Sequence, residues 1–387
     1  MDRREFLIST STALAAGLLA PSAWARPPLE IDVRDFSTPD LAKADKPLNI
    51  LFLGGTNFVG PPTVQRFLDR GHNVTLFNRG KTNSFLFPEL EKLRGNRYPA
   101  RGNGLSALIG NRSWDVVIDT WRQNPLAVDA TVSLLKDRVK HYIYVSSIAV
   151  YGNNNYENVS PIDEHTPLPE VTRPTNMDED IGYRRSKILA DQSILNMENQ
   201  GITVRAHGIY GYYMGDDTDG QAYWPVRVDR GGDILCPGDG DDGFQFIDVL
   251  DLANFLAHLS ENGGYGAYNA CDRLLFRELL TRLQGIATEA SQLHWVPESI
   301  LGQEGIRPFS NLPGWVPRSR GPGFHNISDQ RALSAGLEYR KMEDTFQRVT
   351  DGLYARKGKD FTFGTPILSD LESYRVLSKH GFIESIK

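Results

Sequence analysis

Cysteine is nearly absent from this chain: Cys236 and Cys271 are the only two in 387 residues. Two thiols build no disulfide framework and their spacing fits no zinc site. The sequence leaves open whether they pair or stay as buried thiols. Histidine is sparse and scattered, so no metal site is expected. Basic residues do not predominate either: 42 Lys and Arg against 48 Asp and Glu give a net charge of −6. A nucleic-acid binder usually carries a basic stripe that neutralises phosphates, and none is visible, so nucleic acid is not an expected partner. No apolar run approaches the roughly 20 residues that span a bilayer. Internal repeats and low-complexity tracts are missing too. What remains is 40% hydrophobic and 23% charged, ordinary globular composition with enough chain for one large domain or two unequal ones.

At the N-terminus, Asp2-Arg3-Arg4-Glu5-Phe6-Leu7 leads into a short apolar run over residues 13–20. Ser22-Ala23-Trp24-Ala25 then supplies the small residues of a cleavage site. Paired arginines followed by Phe-Leu resemble the twin-arginine export signal. That resemblance implies passage of a folded protein through the twin-arginine translocase and a periplasmic or otherwise exported location. Residues 1–25 then form the signal peptide and residues 26–47 a polar lead-in.

The stretch around which the rest is arranged is Asn49-Ile50-Leu51-Phe52-Leu53-Gly54-Gly55-Thr56-Asn57-Phe58-Val59-Gly60. A continuous apolar run predicts a parallel strand buried on both faces. Gly54 permits a tight turn, and Gly60 lets the following helix lie close to the sheet with its free N–H groups toward a diphosphate. Gly54, Gly55, Thr56, Asn57, Phe58, Val59 and Gly60 are therefore candidate cofactor contacts. A second strand, residues 72–77, ends at Asn78-Arg79-Gly80-Lys81. A carboxylate at this place usually receives the ribose of NAD. Asn78 is neutral, and Arg79 and Lys81 suit the 2′-phosphate of NADP, so NAD or NADP is expected with NADP favoured. The β/α alternation continues through residues 90–96 and 114–120, placing Asn96 and Thr120 at strand ends as further cofactor candidates. Such alternation predicts an α/β fold with a doubly wound parallel sheet of Rossmann type.

A strand over residues 141–145 runs into Ser146-Ser147-Ile148-Ala149-Val150-Tyr151-Gly152. Ligands of doubly wound sheets sit outside the carboxyl ends of strands, where this serine pair falls. Residues 153–180 read as a long polar loop of the kind that serves as a lid. Tyr183-Arg184-Arg185-Ser186-Lys187 then opens a helix, with Tyr183 and Lys187 on one face.

Those elements, in that order, resemble the extended short-chain dehydrogenase/reductase superfamily, and within it the NAD(P)-dependent epimerase/dehydratase group. The resemblance covers about residues 48–350. It rests on Gly54-Gly55-Thr56-x-Phe58-x-Gly60, Ser146-Ser147-x-x-Val150-Tyr151-Gly152, Tyr183-x-x-x-Lys187, Arg205-x-x-Gly208-Ile209-Tyr210-Gly211, Phe246-Ile247-Asp248-Val249-x-Asp251-Leu252-Ala253 and Tyr268-Asn269. Asn57 stands where the family has its middle glycine, and Pro61 and Pro62 enter the first helical turn. The resemblance implies an NAD(P)-binding domain over residues 48–210, its sheet completed from within 240–270. It further implies a smaller substrate-binding domain over 211–350, a terminal extension over 351–387 and a homodimer.

The same resemblance assigns roles. Tyr183 becomes the acid/base toward a sugar hydroxyl or carbonyl, and Lys187 favours its phenolate and holds the nicotinamide ribose. Ser147 hydrogen-bonds the reacting oxygen, with Ser146 a neighbour. Related dehydratases place an acidic pair after the strand-end hydroxyl residue. Ile148 and Ala149 stand there, and neither moves a proton. Outside the cytoplasm no evident pool recycles a released cofactor. The expected reaction is accordingly hydride transfer through a keto intermediate on a sugar or nucleotide sugar, as in an epimerase or oxidoreductase. Trp224 and Arg227 are candidates for stacking on and pairing with that substrate. The rival reading is a non-catalytic or RNA-associating member that keeps the fold as a platform.

Overall fold

The computed structural model describes Phe36 and residues 41–211 and 220–384. The signal-peptide reading, most of the lead-in and residues 212–219 lie outside them. All the described residues belong to one compact unit.

Apolar runs bounded by glycines and polar turns become the central strands. β1 (Asn49–Leu53) leads through the glycine turn into α1 (Gly60–Asp69), followed by β2 (Asn73–Asn78), β3 (Glu91–Arg94) and β4 (Trp114–Asp119). α2 (Leu126–Leu135), β5 (Val139–Ser147), α3 (Gly152–Asn158), α4 (Tyr183–Leu195) and β6 (Gly201–Ala206) complete the first half. The chain continues through β7 (Ile209–Tyr210), α5 (Tyr223–Asp229), β8 (Gly232–Pro237), β9 (Gly243–Asp248), α6 (Val249–Asn262) and β10 (Gly266–Ala270). β11 (Asp272–Leu275), α7 (Phe276–Gln284), β12 (Ser291–Val296), α8 (Glu298–Gln303), α9 (Gln330–Ser334), α10 (Met342–Lys357) and α11 (Asp370–Lys379) follow.

Seven strands form one parallel sheet in the order β3-β2-β1-β4-β5-β6-β10. The chain leaves β1 toward β2 and later returns to its other side as β4, which makes the switch of direction that opens a crevice at the carboxyl ends. Register brings those ends level: Leu53 lies beside Phe77 and Asp119, Asp119 beside Tyr144, and Ser147 beside Ala206. The glycine turn, Thr120 and Ser147 therefore share one edge. α1 packs with α6 and α2 with α4. Tyr142, Tyr144, Val128, Ala190 and Ile194 pack between the sheet and the α2/α4 pair.

A second core gathers β7, β9, β11, α5, α7 and α10 around Tyr210, Trp224, Phe244, Phe276 and Phe346. Several of these rings meet edge to face, as Tyr210 does with Phe346 and Trp224 with Phe276.

Two expectations need correction. The loop at 153–180 opens with a helix, α3, because Asn155 donates to the Tyr151 and Pro167 carbonyls and the Tyr156 hydroxyl holds the Ile148 carbonyl. Trp224 and Arg227 do not face a substrate. Trp224 is 1% exposed and donates its indole N–H to the Pro313 carbonyl at 2.6 Å. Arg227, 6% exposed, donates to the Gly231 carbonyl at 2.8 Å and the Asp233 carbonyl at 2.5 Å and pairs with Asp370 at 3.1 Å. Both hold the second core together. Cys236 and Cys271 are buried and unpaired with each other.

Candidate active site

The turn after β1 closes on itself too tightly for side chains. Gly54 and Gly55 take φ of 122° and 91°, conformations that L side chains rarely adopt. A Cβ on Gly60 would stand 2.6 Å from the Gly55 carbonyl carbon. Pro61 and Pro62 fall in the first turn of α1, where an amide has no intrahelical partner to lose. The amides of Thr56, Asn57, Phe58 and Val59 donate to no group among the described residues. Neighbours hold the loop carbonyls: Asn78 Nδ2 donates to the Gly54 oxygen and Asn83 Nδ2 to the Thr56 oxygen, both at 2.9 Å. Free amides at a helix N-terminus, in a cradle that a single Cβ would fill, fit the diphosphate of a dinucleotide. The Thr120 hydroxyl borders that cradle, 3.5 Å from the position of a Gly54 Cβ.

At the far rim, Asn78 is already engaged, its Oδ1 accepting from the Gly80 amide at 2.9 Å and from Arg94 Nη1 at 2.5 Å. Arg94 was not anticipated. It reaches over from the end of β3 and lies across Gly80, whose Cβ would meet its guanidinium at 2.9 Å. Arg79, Lys81 and Arg94 are all exposed. Asn96 turns inward on its own loop, its side-chain oxygen accepting from the Tyr98 amide at 3.0 Å.

The middle of the edge carries the tyrosine, the lysine and the serine. Ser147 ends β5 with its Oγ accepting from the Ala149 amide at 3.2 Å. Tyr183 opens α4 and keeps half of its surface exposed. Crowding by protein still raises its phenol above the ordinary tyrosine value, while a hydrogen bond with Ser147 and the charge of Arg122 pull the other way. Lys187, one turn along, is 3% exposed and donates Nζ to the carbonyls of Val145 at 2.7 Å and Trp121 at 2.9 Å. Its Nζ lies 5.9 Å from the Tyr183 ring centre and 4.5 Å from that of Tyr144. Burial lowers it to about 7, with Asp119 and Asp191 supporting the charge and Arg122 opposing it. Burial therefore works against the charge of this lysine, and the two aspartates sustain it. Ser146 is buried and its hydroxyl has no partner among the described residues.

Beneath the edge lie two buried charge networks. Arg97 grips both Asp119 oxygens at 2.7 Å, and Asp119 also takes the Tyr142 hydroxyl at 2.7 Å. Arg205 donates to Asp191 at 2.7 Å and to the Tyr151 hydroxyl at 3.0 Å, which in turn donates to Asn269 at 2.7 Å. Three of the motif residues singled out by sequence, Tyr151, Arg205 and Asn269, are thus tied to α4 as supports. Paired in this way, buried charges avoid the cost of standing alone. Among the described residues no acidic, His or Cys cluster could hold a metal, and no helix is long and apolar enough to cross a membrane.

Residues 107–271 match the NAD dependent epimerase/dehydratase family. UDP-glucose 4-epimerase of Erwinia amylovora is 27% identical over 272 residues, 57% of this chain and 77% of that protein. Among solved structures, dTDP-glucose 4,6-dehydratase of Bacillus anthracis in complex with NAD superposes with a TM-score of 0.57 at 16% identity, covering 81% of this chain and 98% of that one. RMD of Pseudomonas aeruginosa complexed with NADPH gives a TM-score of 0.52 at 21% identity, covering 80% and 100%. With its seven-stranded parallel sheet and flanking helices, the chain has the Rossmann-like fold of these solved structures, and residues 107–271 match the NAD dependent epimerase/dehydratase family.

Proposed function

We propose that this protein is an NAD(P)-dependent epimerase or oxidoreductase acting on a sugar or nucleotide sugar through a keto intermediate. The observation that carries this reading is the meeting of Tyr183, Ser147 and Lys187 at the strand edge that also bears the empty-handed amides of the glycine turn. The amides of residues 56–59 would hold the cofactor diphosphate, and Thr120 would stand beside it. A bound nicotinamide supplies the hydride acceptor and donor. Tyr183 takes the proton from the substrate hydroxyl as its carbon is oxidised, and returns it when the carbonyl is reduced. Ser147, which already favours the phenolate, would steady the same oxygen. Lys187, anchored on two carbonyls, lends positive charge to the phenolate.

Arg79, Lys81 and Arg94 support NADP over NAD, since a cationic rim favours a 2′-phosphate. Ile148 and Ala149 support epimerisation or reduction over elimination. A twin-arginine signal would favour a reaction in which the cofactor stays bound and ends unchanged. Thermal unfolding of the purified protein with each cofactor tests the reading. A cofactor at about a hundred times its dissociation constant should add about 2.7 kcal/mol of stability. If neither NAD nor NADP, in either redox state, raises the unfolding temperature, the reading fails.

A further inference from the structure

Asn124, shortly past the end of β4, is 5% exposed, and its side chain joins segments that the sequence keeps far apart. Both amide protons are used: Nδ2 donates to the Asn176 carbonyl at 2.9 Å and to the Glu179 carbonyl at 3.0 Å. Its Oδ1 accepts from the Leu126 amide at 3.0 Å, where α2 begins. Its own carbonyl accepts the Trp121 indole N–H at 2.9 Å. The two carbonyls it holds lie 52 and 55 residues along the chain, so no local geometry fixes how the segments meet. They belong to the turn that delivers Tyr183. Side chains close that turn on itself: the Thr175 amide donates to Glu179 Oε2 and the Asp178 amide to Asn176 Oδ1, both at 3.0 Å. It continues through the buried Ile181 to Gly182, whose amide donates to Asp180 Oδ1 at 2.9 Å and whose φ is 76°; Tyr183 then opens α4. The exposed pair Arg101–Asp178 adds little to this hold. Meanwhile the Trp121 carbonyl receives Lys187 Nζ at 2.9 Å and the Tyr144 hydroxyl at 2.7 Å. Residues 121–124 thus reach the first turns of α4 twice, at Lys187 directly and at Tyr183 through the turn ahead of it. A buried amide with both donors satisfied rigidifies what it joins.

We propose that Asn124 is a positioning residue of this site: its side chain clasps the turn over residues 175–182 to the segment after β4, and so sets where the Tyr183 phenol stands relative to Lys187 and Ser147. It touches no reacting atom and acts through the backbone ahead of α4. Its effect on rate rests on the reading of Tyr183 as the working phenol; the clasp itself rests on the hydrogen bonds alone. A misplacement of about 1 Å, made far from the chemistry, costs about a hundredfold in rate.

Asn124→Asp removes both donors at nearly unchanged volume and turns a carboxylate oxygen toward two carbonyls. Amide hydrogen exchange of the full chain, read by mass spectrometry over residues 172–186, should run at least about tenfold faster in this variant, the scale of one lost hydrogen bond. Exchange over β1 and α1 should stay as in the wild type. With UDP-glucose and UDP-glucuronate as probes, kcat should fall by about tenfold to a hundredfold while KM and cofactor affinity change little. Asn124→Gln, which carries the same donors one methylene further out, should restore part of kcat. A merely structural role would lower the unfolding temperature and leave kcat of the folded variant intact. Asn124→Ser serves where the aspartate variant fails to fold, since its hydroxyl still accepts from the Leu126 amide. Unchanged exchange over residues 172–186 overturns the proposal. So does wild-type kcat in the Asn124 variant when Tyr183→Phe is inactive. If Tyr183→Phe keeps turnover, the catalytic reading falls, and faster exchange still upholds the clasp.

Discussion

At the scale of single residues, the chemistry turns on how strongly the surroundings of Tyr183 hold its proton. Crowding raises the phenol, and Ser147 and Arg122 lower it. The buried Lys187, at about 7, adds positive charge chiefly below neutral pH. Alcohol oxidation needs the phenolate, so its rate should climb by about tenfold per pH unit on the acid side of the tyrosine titration. Arg122→Gln removes a charge that favours the phenolate and should move this limb to higher pH. Rate profiles of wild type and variant at saturating cofactor check it. A flat wild-type profile between about pH 6 and 9, or an unmoved limb, would show that another group governs proton transfer. The sequence pointed to Tyr183, Lys187 and Ser147 through the ordered motifs that carry the family resemblance. It did not point to Arg122 or Arg94. A cation becomes a site feature only through where it reaches, and that is settled in three dimensions. Trp224 and Arg227 err in the opposite direction for the same reason: their side chains suit a sugar, and packing spent both on the second core.

At the scale of elements, the β1–turn–α1 unit was readable almost residue by residue, since a continuous apolar run and glycines at fixed spacing dictate it. Gly60→Ala tests the closeness of its packing. The added Cβ meets the Gly55 backbone at 2.6 Å, where no flexible side chain can yield. The change should cost about 1–3 kcal/mol by denaturant unfolding, and the stabilisation by added cofactor should fall with it. Full retention of cofactor binding would show that the amides of this turn are not the cradle. α3 and β12 were not readable. α3 owes its place to side-chain bonds from Asn155 and Tyr156 that reach other segments. β12 owes its place to pairing with β8, more than fifty residues away.

At the scale of the whole molecule, a net charge of −6 coexists with a cationic rim at the ends of β2 and β3. Positive charge is kept where anionic ligands would arrive, which also steers their approach. Arg79→Ala and Arg94→Ala should each weaken NADP by about tenfold while changing NAD little, read by titration with both cofactors. Equal losses for the two would place the rim outside the 2′-phosphate. The parallel sheet was expected from alternating strands and helices, because each strand reports its burial in its own composition. The second core was harder to foresee, since its short strands and aromatic contacts come from distant segments. Hydride transfer itself decides whether the phenol is the working group. Cofactor-loaded wild type and Tyr183→Phe are mixed with a panel of neutral and acidic nucleotide sugars, and nicotinamide reduction is followed by its absorbance in a single turnover. The wild type should show a transient reduced nicotinamide, and the variant should lose about a hundredfold or more of that rate while binding cofactor as before; equal rates in the two proteins would contradict it.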